Sequence, residues 1–239
     1  MQKNTRNKLI LLDIVLLIVI ALTFTLWLKF FFDYYFLFSI VLIIEVIIYA
    51  LLRLESKNVS AREIAIVATL AVISVVGRLL FFLIPQVKPT AAVVFISGLA
   101  LGQGPGFIVG LLSMFLSNFV FGQSVNTPFQ MLGMGLIGFF AGFLSRLHRE
   151  NKIKLWLQAL IAFVLTFVVY GLVVDSGVVL FMGQYQGLVA VISVYLAGVP
   201  FNIVHALSTF IFTLVLSPLL SRQLRRISKK YGLFSLKAV

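Results

Sequence analysis

The sequence predicts an all-α integral membrane protein of about eight transmembrane helices, a six-helix bundle preceded by a two-helix add-on. Three observations carry this. First, 62% of the 239 residues are hydrophobic and only 11% are charged, against roughly 45–50% and 25% in an ordinary soluble domain, and the mean hydropathy is +1.14. So few polar side chains cannot cover a water-facing surface, which excludes a soluble domain, a disordered chain and a disulfide-rich module. Second, the apolar residues form continuous runs rather than an alternation, which disfavours a β-barrel. Third, the basic residues fall between the runs.

A spanning helix needs about 20 mainly apolar residues. In order, the candidates are Leu9–Leu28, Tyr35–Leu52, Ile64–Ile84, Pro89–Leu101, Gly106–Phe121, Gln130–Leu147, Ile153–Val174 and about Val199–Leu220. Leu9–Leu28 is read as a span and not a signal peptide, because it is long and no small-x-small cleavage site follows it. The fourth and fifth are short and flank Gly102-Gln103-Gly104-Pro105-Gly106, read as a tight turn. Gln186–Ala197 is read as a further short helix, interfacial or re-entrant.

The charges favour an even count. Lys3, Arg6 and Lys8 precede the first run, and Arg53, Lys57 and Arg62 follow the second. Arg146, Arg149, Lys152 and Lys154 follow the sixth, and Arg222, Arg225, Arg226, Lys229, Lys230 and Lys237 fill the tail. Eight spans put all sixteen on one side and leave only Lys29, Arg78 and Lys88. The positive-inside rule then makes both termini cytoplasmic. Topology thus accounts for the net charge of +12 without a nucleic-acid partner. The absence of cysteine excludes disulfides, iron–sulfur clusters and thiol catalysis.

Two parts are expected. Residues 1–55 hold two apolar helices almost without glycine, and 56–239 hold nearly all the Gly, Pro, Asn and Gln together with the basic tail. Small residues let helix backbones approach in lipid, so the second part is the compact bundle. Its third span carries Ala61, Ala65, Ala68, Thr69 and Ala71, a small face suited to packing within the bundle or to docking of another subunit. Gly135, Gly138, Gly142 and Ser145 give the sixth span a close-packing face.

Polar groups gather on the side away from the basic loops. Arg78 and Lys88 stand near the end of the third span, and Asn118, Asn126, Thr127 and Gln130 around the loop after the fifth. Asp175 and Tyr185 fall in the loop after the seventh, and Asn202, His205 and Thr209 make a stripe on the last span. Polar side chains at membrane depth either pair with one another or line a cavity, and aromatic walls with a few placed polar groups make a small-molecule pocket. Asp13 and Glu45 lie in the first two spans; Glu45 is read first as a protonated or paired carboxyl, with use by a proton-coupled carrier as the alternative.

Enzyme signatures are missing. Two histidines do not make a zinc site, and there is neither a Gly-x-Ser-x-Gly elbow nor a Walker A loop. No cofactor or metal is expected, and ATP dependence requires partner subunits.

Several stretches together resemble the substrate-binding S components of energy-coupling factor (ECF) vitamin transporters. They are the small-residue third span, Val76-Gly77-Arg78, Lys88-Pro89, the Gly102–Phe107 turn, Asn126-Thr127-Pro128-Phe129-Gln130-Met131, Gly135-Leu136-Ile137-Gly138 and the last span from Pro200 to Thr209. The resemblance covers about residues 60–232 and is most similar to cobalamin-type S components. It implies a prokaryotic plasma-membrane protein that binds a vitamin or precursor from outside. It also implies docking, through the Ala61–Ala71 face, on one coupling membrane protein and two ATPases. The substrate-binding residues expected are Arg78, Lys88, Asn118, Asn126, Thr127, Gln130, Tyr185, Asn202 and His205. The resemblance leaves 1–55 unexplained. Two other readings remain open: a stand-alone secondary carrier, and a non-transport subunit whose basic tail binds anionic lipid or a partner.

Overall fold

A computed structural model describes residues 61–182 and 187–231 and scattered positions between 11 and 48, including the helical stretch 18–26. The limits of the first two expected spans, Asp13 and the Tyr185 loop lie outside the described residues. The described part is helical: α1 (Ala61–Leu80), α2 (Thr90–Leu101), α3 (Gln103–Phe121), α4 (Thr127–Phe143), the short α5 (Ser145–Arg149), α6 (Leu155–Val164), α7 (Gly171–Met182) and α8 (Leu188–Tyr231). A π-helical segment, Leu165–Tyr170, makes α6 and α7 one continuous rod. Among the described residues the bundle therefore has six helical segments alternating in direction: α1, α2, α3, α4, α6–α7 and α8. Of these, α1, α3, the α6–α7 rod and α8 are long and apolar enough to cross a membrane, and α2 and α4 are shorter apolar helices.

α2 is the axis of the bundle. Residues Ala91 to Leu99 are buried without exception, so this 12-residue helix, about 18 Å long and too short to cross a bilayer core of about 30 Å, meets protein rather than lipid. Its link to α3 is a single residue. Gly102 takes φ 100 and ψ −178, a conformation open to glycine and strained for other residues. The expected five-residue turn is thus corrected: Gln103 to Gly106 already form the first turn of α3. Pro105 fits there because first-turn amides have no helical acceptor to lose.

α2, α3 and α4 meet backbone to backbone. A Cβ at Gly98 or Gly106 would strike the Gly138 carbonyl, and one at Gly142 would strike Gln103. The glycine spacing of α4 is therefore a packing face, and one edge of the Phe107 ring stands where a Cβ on Gly135 would come.

Three expected boundaries change. The seventh span does not end near Val174; the rod runs on to Met182 and takes Asp175 inside it. The short helix at Gln186–Ala197 is not separate. Leu188 begins one helix that continues through Pro200 and Pro218 to Tyr231, since proline inside a membrane helix is tolerated where neighbours take up the freed backbone groups. Asn118, read as part of a loop, is in the last turn of α3.

The alternation sorts the polar groups by end. The α1–α2 loop, the α3–α4 connection, the end of α7 and the start of α8 share one end. The other end holds Ala61, α5 and the tail of α8, where the Arg62 guanidinium lies 4.6 Å from the Tyr231 ring centroid. The N-terminal segment touches the bundle: Ile20 is buried, and the Phe24 ring meets Phe129 of α4 edge-on at 4.9 Å. Thr23 donates to Glu45 at 2.6 Å, so that carboxylate already has a partner within the N-terminal part.

Candidate functional site

At the end away from the basic tail, α1, α2, α3, α4, the α6–α7 rod and α8 enclose a cavity of about 520 Å³. Met114, Met134, Val174, Val178 and Phe201 supply apolar lining. Two polar clusters, one cationic and one acidic, also contribute to it.

One wall is cationic. Arg78, in the last turn of α1, donates to Ser117 and to Asn118 Oδ1, the latter at 2.7 Å. Asn118 in turn donates to Thr127 Oγ1 at 3.1 Å and to Gln130 Oε1 at 2.9 Å. Thr127 also accepts the Ser124 amide. Asn118 and Thr127 thus stand behind the wall and hold Arg78 and Gln130, which reach the cavity. Lys88 arrives from the α1–α2 loop, whose backbone is pinned to α8: the Lys88 amide donates to Ser208 Oγ at 2.9 Å and Ser208 donates back to the Lys88 carbonyl at 3.2 Å. Arg78 and Lys88 both lie over the Phe121 ring, at 4.3 and 5.1 Å from its centroid, a favourable cation–π placement. Burial and then the neighbouring Arg78 lower the Lys88 pKa below the ordinary lysine value.

The other wall carries a carboxylate. Asp175 of α7 accepts from Asn202 Nδ2 of α8 at 2.7 Å. Glycines make room for the pair: a Cβ at Gly198 would meet the Asp175 carboxylate, and one at Gly171 the Asn202 amide. Tyr170, last residue of the π-helical segment, meets His205 edge-on at 5.0 Å. π-Helical insertions frequently mark functional sites, and here one sets Tyr170 into the cavity wall. Arg78 and Asp175 line the same space without an ion pair between them.

Of the expected binding residues, Arg78, Lys88, Gln130, Asn202 and His205 line the cavity. Asn118 and Thr127 do not; they are the support just described. Asn126 precedes α4, and its Oδ1 is buried against Gly177 without a partner. Tyr185 lies outside the described residues. The expected binding residues leave out Tyr170 and Phe201, and also Asp175, which the sequence places with the polar groups at this end only as the start of a loop. Asp175 carried a readable signal, being an acidic residue inside an otherwise apolar run. On the expected docking face, Ala61, Ala65, Ala68 and Thr69 are exposed, whereas Ala71 is 1% exposed and turned into the bundle; it cannot offer a surface.

Residues 58–222 match the family model of the ECF-type riboflavin transporter, S component. The chain belongs to this family. It is therefore a multi-pass membrane protein and a substrate-specific subunit of an ECF transporter. The match takes in every residue of the cavity, from Arg78 to His205, and leaves out the first 57 residues. Neither the curated proteins nor the solved structures yield a match. The family supports an S component in general; it is of the riboflavin type and lends nothing to the cobalamin-type specificity expected from the sequence.

Proposed function

We propose that the cavity is the vitamin site of this S component and that its ligand is a flavin, with riboflavin the best match. The observation that carries the reading is the two-sided cavity itself, in a chain whose family is named for riboflavin transport. A flavin is a flat, largely apolar tricycle with hydrogen-bonding groups on one ring edge and a polyol chain. Methionine and valine walls suit the tricycle. Arg78, Lys88 and Gln130 suit carbonyl acceptors, and Asp175 with Asn202 suits hydroxyl or imide donors. About 520 Å³ sits within the ordinary range for a drug-sized ligand, whereas a corrinoid is several-fold larger. Purification in a mild detergent followed by mass spectrometry of the bound small molecule tests this: a flavin supports the reading, and a corrinoid or another vitamin overturns it.

The bundle has its cavity outward and its basic end in the cytoplasm, by the positive-inside rule. Because the chain has no cysteine, single replacements at the exposed Ser124 and Glu150 report sidedness directly. Ser124→Cys is expected to react with an impermeant reagent on intact cells and Glu150→Cys only after permeabilisation; the reverse pattern would refute the orientation.

The exposed part of the small face, Ala61, Ala65, Ala68 and Thr69, is the proposed docking surface for the coupling membrane protein, which works with two ATPases. Close approach in lipid requires small side chains. Ala65→Trp and Ala68→Trp are expected to keep vitamin binding and to lose uptake and co-purification of the partner. Uptake at the wild-type rate in both variants would favour a self-contained carrier.

A further inference from the structure

A second cavity, of about 1040 Å³, opens at the opposite end of α8, between α5, the start of α6 and the last turns of α8. From Asn202 to Arg222 the helix advances roughly 30 Å at 1.5 Å per residue, the thickness of a bilayer core. Arg222, Arg225 and Arg226 line it at that depth. Arg225 donates to Asn151 Oδ1 at 2.9 Å, while Arg222 and Arg226 have no carboxylate partner among the described residues. Glu150, an acidic residue at this end, is already held by Arg146 and Lys152.

The cavity has a buried polar floor. Gln158 accepts from Ser217 at 2.7 Å and donates to the Ile153 carbonyl at 3.0 Å. His148 is 6% exposed, lines the cavity, and its Nδ1 is buried without a partner. Burial, then Arg225 and Arg149, holds its pKa down to about 4, so it presents a neutral imidazole. Part of the rim is apolar: Leu155 and Leu219 line the cavity and are exposed on the outside of the bundle.

We propose that this cavity binds the phosphate-bearing headgroup of an anionic lipid, with the phosphate between Arg222 and Arg226, the His148 imidazole reaching a headgroup oxygen, and the acyl chains along Leu155 and Leu219. Basic pockets between spanning helices bind such headgroups, and arginine holds phosphate through a two-pronged fork. A free phosphate would need the arginines alone. The apolar rim beside them is what selects a lipid. The cavity shares no residue with the vitamin site, so this inference stands apart from the flavin reading.

The test reconstitutes the full chain in bilayers of equal phosphatidylglycerol and phosphatidylcholine, extracts it in mild detergent and counts retained lipids by native mass spectrometry. The wild type is expected to keep phosphatidylglycerol selectively. Arg222→Gln and Arg226→Gln are each expected to lower retention about fivefold, the equivalent of roughly 1 kcal/mol per basic side chain. Lys230→Gln, on the exposed tail outside the cavity, is expected to change nothing. Thermal midpoints in phosphatidylcholine alone confirm folding, and Arg226→Lys, which keeps charge and loses the fork, is expected to fall between wild type and Arg226→Gln. Wild-type retention in both Gln variants would overturn the proposal. So would an equal loss in Lys230→Gln, which marks diffuse surface charge, or displacement of the lipid by millimolar inorganic phosphate, which marks a small-anion site.

Discussion

Gly138→Val is expected to leave no stable, detergent-soluble bundle. Its Cβ would stand inside the van der Waals shell of the Gly106 carbonyl, and the obstacle is backbone on a buried helix, not the movable end of a side chain. Overpacking a well-packed core costs typically 1–3 kcal/mol. Here α2, α3 and α4 would all have to separate, so a loss of about 3 kcal/mol or more is expected, a large share of the roughly 5–15 kcal/mol that holds a domain folded. Gly187→Val is the control, because nothing lies within 4 Å of its Cβ position. Size-exclusion profiles and thermal midpoints of the two variants check this. Equal behaviour would mean that the three helices do not meet as described.

Asp175→Leu is expected to give the largest loss of vitamin affinity of any single cavity substitution. It removes the acidic group lining the cavity and strands the Asn202 amide that it holds at 2.7 Å. A hydrogen bond to a charged group contributes about 1.5–3 kcal/mol, or roughly 10- to 150-fold in affinity, and both members of this pair line the cavity. Asp175→Asn keeps the shape and an acceptor and is expected to lose less. Asn118→Ala is expected to act on the opposite wall by freeing Arg78 and Gln130, although it lines no part of the cavity. Equilibrium binding to the purified variants separates these outcomes. An Asp175→Leu protein that folds and binds as tightly as wild type would place the ligand elsewhere.

These two sites also mark how far the sequence could be read. The six helical segments of the bundle were legible because continuous apolar runs leave a chain no other medium, and the α4 glycines because close approach in lipid demands them. The α6–α7 and α8 boundaries were not. Asp175 and Pro200 each look locally like the end of a span. Asp175 is tolerated within its helix by Asn202, twenty-seven residues away, a pairing that no sequence window contains. The polar cluster was legible as a cluster, but not the division of labour inside it. Arg78 and Gln130 reach the cavity, and Asn118 and Thr127 hold them there, because the register of α3 against α4 decides which face each presents. The proposed docking face loses Ala71 for the same reason: spacing gives a stripe, and only the neighbouring helices decide where it ends.

Riboflavin fluoresces, and its emission changes when the ring is taken from water into a protein, so direct titration of the purified chain measures the central claim. One saturable site per protein is expected, weakened by Asp175→Leu and unaffected by a corrinoid competitor. No saturable change with riboflavin, or displacement of bound riboflavin by a corrinoid, would contradict it.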